Sequence, residues 1–269
     1  MKKTVAAAVL AGVSSVSFGF GTGNMPTVPA GWTLKESSTN VRIYQKNGED
    51  TFVQLVDIKG GARVQFNQTV VSNTGTKTFN KQTLDQWWAG YTGLRTSMIN
   101  GQFFDQNINP TGLSFGVRAN GSLLTTGADT AAILKKQIEF FDGIGVYITQ
   151  FNATRLNGGS TAQNIMVGLD PTVDKSGASG RGRTYLCTKV NPASPASPSP
   201  WLVILSSRSQ TQVNAFLDIT SFACDPGAVI MFDGSGSTQL KTAGGIRLVG
   251  SNGIYNENRI IPQTLIISN

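Results

Sequence analysis

An apolar run that ends at a single acid constrains this chain most strongly. Residues 229–232 are Val-Ile-Met-Phe, and four large apolar side chains in a row are typical of a strand buried on both faces. Asp233 follows at once, and Gly234 and Gly236 leave the backbone free to turn tightly. The sequence therefore predicts a carboxylate held rigidly at the end of a buried strand, at the mouth of a pocket.

Taken alone, this turn has a second interpretation. Asp-Gly-Ser segments commonly form ordinary tight turns in which the Asp side chain bonds to nearby backbone. Ser235, Ser237 and Thr238 supply hydroxyl groups, and the glycines let backbone amides approach an anion. The turn by itself leaves a structural role and a binding role open.

The absence of histidine excludes several kinds of site. The 269 residues contain none, so the usual general base, the usual zinc ligand and every Ser-His-Asp or Cys-His arrangement are missing. Catalysis would depend on carboxylates, arginines, hydroxyls or an oxygen-bound metal. No metal-binding loop is recognisable, so no cofactor is assigned, the metal ligands stay unknown, and a divalent cation near Asp105 or Asp233 is left open.

The N-terminus has the pattern of a secretory signal peptide. Lys2 and Lys3 precede an apolar run over 4–12, which predicts a signal peptide at 1–19 and a secreted or periplasmic protein. No other stretch is apolar enough for stable membrane insertion. A flexible segment at 20–40 is expected to lead into one domain over 41–269.

The charge is positive but dispersed. The net charge is +7 and the sequence pI about 9.5, yet there is no basic run interleaved with aromatic residues. We therefore predict no nucleic-acid partner, and a surface attracted to anionic glycans or phosphates. An extracellular binder of anions or nucleic acid, based on charge alone, is the weaker alternative.

Strand patterns dominate, with three predicted helices. Asn-Gly pairs at 47–48 and 120–121 indicate hairpins, and helices are predicted at 83–91, 131–141 and 211–222. The expected fold is α+β: a single domain with a large twisted mixed β-sheet and a few packing helices. Cys187 and Cys224 can form a disulfide in an oxidising compartment, or remain two buried thiols.

Four short stretches together resemble the phosphodiester glycosidase family. The turn at 232–238 resembles its Leu-Asp-Gly-Gly-Gly-Ser signature, and the other three occur in the family's order: residues 99–105 (Asn-Gly-Gly-Phe-Phe motif), 181–184 (Arg-Thr segment) and 259–262 (Arg-x-x-Pro). Gln102 and Ser235 stand where the family usually has glycine, which implies a narrower pocket or another substrate.

The resemblance implies a hydrolase that cleaves N-acetylglucosamine 1-phosphodiesters. It makes Asp233 the catalytic or sugar-orienting acid, and Asp105 a second acid candidate. Arg183 and Arg259 would clamp the phosphate; Arg181 competes with Arg183, which is favoured because Thr184 follows it directly. The implied substrate-binding residues are Asn100, Gly101, Thr184, Gly234, Ser237 and Thr238.

A non-catalytic extracellular carbohydrate-binding or cell-surface module is the alternative function. The substitutions at Gln102 and Ser235 favour it, because a changed turn can abolish chemistry and leave recognition intact. Exposed aromatic platforms would support it, and the chain offers four tryptophans for that role: Trp32, Trp87, Trp88 and Trp201.

Overall fold

The computed structural model describes residues 25–72, 77–129, 133–189, 197–251 and 259–269. The predicted signal peptide at 1–19 lies outside these residues. Two α-helices occur in the described chain, α1 (Leu84–Gly90) and α2 (Gln212–Thr220). The described strands are β1 Trp32–Ser37, β2 Val41–Lys46, β3 Thr51–Asp57, β4 Arg63–Gln68, β5 Val70–Ser72, β6 Thr78–Phe79, β7 Ser97–Asn100, β8 Val117–Ala119, β9 Ser122–Thr125, β10 Lys135–Phe141, β11 Gly145–Gln150, β12 Asn164–Leu169, β13 Arg181–Thr188, β14 Trp201–Gln210, β15 Val229–Phe232, β16 Gln239–Thr242, β17 Arg247–Val249 and β18 Gln263–Ser268.

Two antiparallel sheets pack face to face. The large sheet has eleven strands, with the main order β1-β2-β3-β14-β13-β15-β12-β10-β11, and β8 and β9 attached at β12. The small sheet has five strands in the order β17-β16-β7-β18-β4. Side chains from both, such as Ile230 of the large sheet and Leu265 of the small one, form the main core between them.

A helix covers the outer face of each sheet. Ala215 and Ile219 of α2 pack against the large sheet, and Leu84 and Trp87 of α1 pack against the small one. Both helices begin at a threonine whose hydroxyl accepts a backbone N–H, Thr83 from Gln86 and Thr211 from Asn214. The helices predicted at 83–91 and 211–222 are confirmed, with shorter limits. Within the described residues, neither helix is long and apolar enough to cross a membrane.

The α+β prediction is wrong, because the described chain is mostly β and its sheets are antiparallel. Strand β15 is buried on both faces, as predicted. That burial comes from a second sheet on one side and α2 on the other, and not from helices that connect parallel strands. β1 lies within residues 20–40 and pairs with β2, so the sheet begins inside the segment expected to be flexible.

The predicted helix at 131–141 is also wrong where the structure describes it, because 135–141 form strand β10. Its polar face is as buried as its apolar face, which hides the alternation of a strand. Glu139, fully buried there, accepts two hydrogen bonds from the Arg155 guanidinium, at 2.6 and 2.5 Å, and one from the Ser160 hydroxyl. Because this buried carboxylate is polar, the sequence of β10 lacks the alternation of a strand and resembles that of a helix.

A disulfide joins β13 to the segment after α2. Cys187 and Cys224 are both buried, and their Cα atoms are 6.0 Å apart. The bond therefore fixes the helix-bearing outer layer to the centre of the large sheet.

Candidate functional site

Asp233 follows β15 and lines a cavity of about 250 Å³ at the end of this strand, in the middle of the large sheet. The adjoining strand β13 pairs with β15 so that Thr184 lies opposite Phe232. The backbone N–H of Gly234 donates to Asp233 Oδ1 at 3.0 Å. The cavity lining consists of Phe103, Lys175, Ser176, Arg183, Thr184, Met231, Phe232, Asp233, Gly234 and Ser235.

Burial raises the pKa of Asp233 to about 6. The Ser237 hydroxyl, the positive charges of Arg259 and Lys175 and the Gly234 amide all lower this pKa, but burial is the larger effect. A carboxyl group with a pKa near 6 can accept or donate a proton close to neutral pH. Perturbed carboxyl groups of this kind are concentrated at functional sites.

Asn100, at the end of β7, joins the two sheets beneath this turn. Its side-chain NH₂ donates to the backbone oxygen of Asp233 at 2.8 Å. Its Oδ1 accepts from the Thr184 hydroxyl at 2.9 Å and from the Gln239 backbone N–H at 3.1 Å. Asn100 is buried and its amide is occupied at both ends, so in this structure it holds the turn in place.

The residues after Asn100 also serve the scaffold. A Cβ on Gly101 would lie 2.7 Å from Gln263 Oε1, so a larger residue there would have to displace the Gln263 side chain. The buried Gln102 side chain donates to the Val167 carbonyl and accepts from the Phe103 backbone N–H at 3.0 Å. Gln102 does not line the cavity, so it does not narrow it as the sequence suggested.

Two serines of the cavity wall have left-handed backbone conformations. φ is +54° at Ser235 and +57° at Ser176. Such angles are uncommon in residues other than glycine, and among the described residues only four non-glycine positions have them. Two of the four therefore face one cavity, and strained backbone tends to cluster at binding and catalytic sites.

Glycines allow the turn to pack directly on neighbouring backbone. A Cβ on Gly182 would overlap the Ser235 carbonyl oxygen and lie 2.9 Å from the Gly250 Cα. A Cβ on Gly250 would overlap the same carbonyl oxygen. The Gly250 N–H donates to the Thr238 carbonyl at 2.6 Å. The conformation of the Asp233 turn therefore depends on two glycines far from it in sequence.

Replacing Gly182 with alanine is expected to lower the free energy of unfolding by about 2–3 kcal/mol, because the methyl group must displace backbone and not a mobile side chain. Urea unfolding measures the loss. Gly112→Ala is the matched control, since a Cβ there would meet nothing within 4 Å. Equal stability of the two variants would contradict the packing argument.

The Arg183 guanidinium is occupied by backbone. It donates to the carbonyl oxygens of Gln210, Lys175, Ser176 and Ser179 at 3.1, 2.9, 2.9 and 3.2 Å. Burial lowers the pKa of Arg183. Bidentate phosphate binding needs two free N–H groups on one edge, so this arrangement does not fit the predicted clamp role.

Arg259 lies beside the Asp233 turn. A Cβ on Gly236 would be 3.1 Å from Arg259 Cδ, and the backbone carbonyl of Arg259 accepts from Gln239 Nε2 at 2.9 Å. Its guanidinium carbon is 5.9 Å from the centre of the Phe104 ring. The Arg259 cation therefore lies near Asp233, and within the described residues it is not surrounded by backbone carbonyl groups as Arg183 is.

Asp105 and the hydroxyls of the turn are placed differently from Asp233. Asp105 is exposed and caps its own turn, in which its Oδ1 accepts from the Asn107 backbone N–H at 2.8 Å. Thr238 is buried, and its hydroxyl oxygen lies 3.2 Å from that of Thr184. Ser237 is also buried, and its hydroxyl makes no well-formed hydrogen bond within the described chain.

The sequence analysis missed Lys175 and assigned no role to Phe103. Both line the cavity, but Lys175 belongs to an irregular loop in which no periodicity or motif distinguishes one lysine from another. In the described residues, no group of three His, Cys, Asp or Glu side chains is arranged to hold a metal ion.

No protein-family model and no curated protein matches the chain. Among solved structures, it is similar in fold to a hypothetical protein from Synechocystis, with 9% identity and a TM-score of 0.48 over 88% of this chain. The chain spans 61% of that protein's length. It is also similar to the zebrafish N-acetylglucosamine-1-phosphodiester alpha-N-acetylglucosaminidase catalytic domain, with 13% identity and a TM-score of 0.47 over 83% of this chain and 89% of that one. The likeness concerns the fold alone.

Proposed function

We propose that the protein is a secreted or periplasmic hydrolase that cleaves the glycosidic bond of a sugar 1-phosphodiester of the N-acetylglucosamine type. The products are the free sugar and a phosphomonoester. One observation carries the proposal: the four motif stretches, distant in sequence, meet around Asp233. Asn100 and Thr184 are bonded to each other beneath the turn, and Arg259 packs on Gly236.

The chemistry suits a site without histidine. A phosphomonoester is an acidic leaving group, so its departure needs little protonation. The remaining tasks are to stabilise an oxocarbenium-like sugar, to activate water or supply a nucleophile, and to neutralise the departing phosphate. A carboxylate suits the first two tasks and a cation the third. Asp233 and Arg259 are our assignments for these roles, and Asn100, Gly101, Thr184, Gly234, Ser237 and Thr238 shape the turn that presents them.

A carbohydrate-binding module remains the second candidate, because the cavity could recognise a glycan without cleaving it. Three of the four tryptophans do not favour it. Trp87 and Trp201 are 4% and 1% exposed, and the Trp88 ring lies close to the Arg95 and Lys241 cations. An aromatic platform needs a bare ring face, which these three residues do not offer.

The proposed activity is tested with purified protein lacking residues 1–19 and UDP-N-acetylglucosamine as substrate. We expect release of free N-acetylglucosamine, measured by chromatography. Absence of release from several sugar phosphodiesters by protein with native circular dichroism would overturn the hydrolase proposal. Saturable binding of the sugars without cleavage would then support the carbohydrate-binding module.

A further inference from the structure

Two side chains from different elements fix the irregular loop formed by residues 171–179. From β13, the Arg183 guanidinium donates to three of its carbonyl oxygens. From the start of α2, Gln212 Nε2 donates to the carbonyl oxygens of Pro171 and Val173, at 2.8 Å for the latter. The 171–179 loop is therefore held in one conformation although it contains no helix or strand.

The bonds made by Arg183 and Gln212 converge on Lys175. Gln212 Oε1 accepts from the Lys175 backbone N–H at 3.2 Å, and Arg183 Nη1 donates to the Lys175 carbonyl at 2.9 Å. Both backbone polar groups of this one residue are thus tied to buried side chains. The Lys175 side chain takes no part in these bonds, and it extends from a backbone position that they hold in place.

The Lys175 side chain belongs to the cavity of Asp233. Its Nζ lies 6.0 Å from the centre of the Phe103 ring, which lines the same cavity. The side chain is exposed, and no salt bridge pairs it with a carboxylate in the part of the chain that the structure describes. Ser176, next in the chain, adopts its left-handed conformation at the cavity wall.

We propose that Lys175 binds an anionic phosphate group of the ligand in this cavity, and that Arg183 and Gln212 are positioning residues that hold the 171–179 loop for this purpose. An ammonium group is a mobile point charge that suits phosphate oxygens. The identity of the anion as the departing phosphate of a sugar phosphodiester rests on the proposed function. The proposal that Lys175 binds phosphate does not depend on the proposed function.

The test compares Lys175→Met with Lys35→Met, which removes the same charge from an exposed position on the edge strand β1. Inorganic phosphate is titrated into each protein by calorimetry. Hydrogen bonds to charged groups are strong enough that losing one reduces affinity roughly 10- to 100-fold. We expect a loss of this size for Lys175→Met alone, and weaker binding to the wild-type protein at high salt.

Hydrolysis distinguishes this inference from the proposed function. If wild-type protein is active, Lys175→Met should lower the rate with UDP-N-acetylglucosamine much more than the rate with a neutral aryl N-acetylglucosaminide. If wild-type protein is inactive but loses phosphate binding with Lys175→Met, the hydrolase proposal fails and the Lys175 site stands. Phosphate binding that is absent from the wild type, or equal in both proteins, overturns the Lys175 site.

A double-mutant cycle tests whether Arg183 acts through Lys175. Arg183→Met should weaken phosphate binding in the wild-type background and have no further effect in Lys175→Met. Additive losses would instead mean that Arg183 contacts the anion itself. Since Arg183 is buried and its replacement can impair folding, Gln212→Ala provides the same cycle from the other anchor.

Discussion

Asp233→Asn is expected to lower kcat/KM for a sugar phosphodiester about 1000-fold, which is the usual scale for removal of a group that transfers a proton or stabilises charge in the transition state. Asparagine has the same shape, so it leaves the Asn100 bond to the backbone oxygen intact. Asp105→Asn is the control, because Asp105 is exposed and caps its own turn. Wild-type activity in Asp233→Asn would remove Asp233 from the mechanism.

The same variant should gain stability at neutral pH. Burial raises the pKa of Asp233 to about 6, above its ordinary value of 3.8, so the fold favours the protonated form. The wild-type protein therefore loses stability as the pH rises from about 4 through 6, and asparagine avoids that loss. Thermal unfolding should show Asp233→Asn to be more stable than wild type at pH 8 and similar at pH 4. A lower midpoint at pH 8 would contradict the burial of a charged carboxylate.

Removing the disulfide should cost about 4 kcal/mol of unfolding free energy, the value that loop-closure entropy gives for a separation of 37 residues. Cys187→Ala, Cys224→Ala and the double variant test this by urea unfolding. Each single change breaks the same crosslink, so the three losses should be nearly equal. Two independent buried thiols would instead give losses that add.

Local signals predicted the parts of the fold that local chemistry decides. The sequence patterns at 83–91 and 211–222 indicated both helices, and the apolar run 229–232 indicated a strand buried on both sides. The division into two sheets depends on pairings between distant segments, such as β18 with β4. No local pattern encodes such a register, and buried polar residues such as Glu139 obscure the strand pattern at 135–141.

The candidate site was predictable to the same degree. The acid at the end of a buried strand and the glycine turn were evident, because their residue types determine backbone geometry. The role of Arg183 was not, since the four carbonyl groups that it binds come from a loop and a strand end with no sequence signature. Lys175 acquires its place only through those bonds, so the sequence offered no reason to select it.

The bonding around Asn100 also bears on chemical ageing. Asn-Gly sequences deamidate when the glycine nitrogen attacks the asparagine side-chain carbonyl. Here the Gly101 N–H donates to the Gln263 carbonyl at 3.1 Å, and Asn100 Oδ1 is held by Thr184 and Gln239. The Gly101 nitrogen therefore cannot reach the side-chain carbonyl carbon of Asn100 without breaking the β7–β18 pairing. Exposed Asn-Gly pairs occur at 47–48, 120–121 and 157–158, so during storage deamidation should begin at these pairs and spare the pair beneath the Asp233 turn.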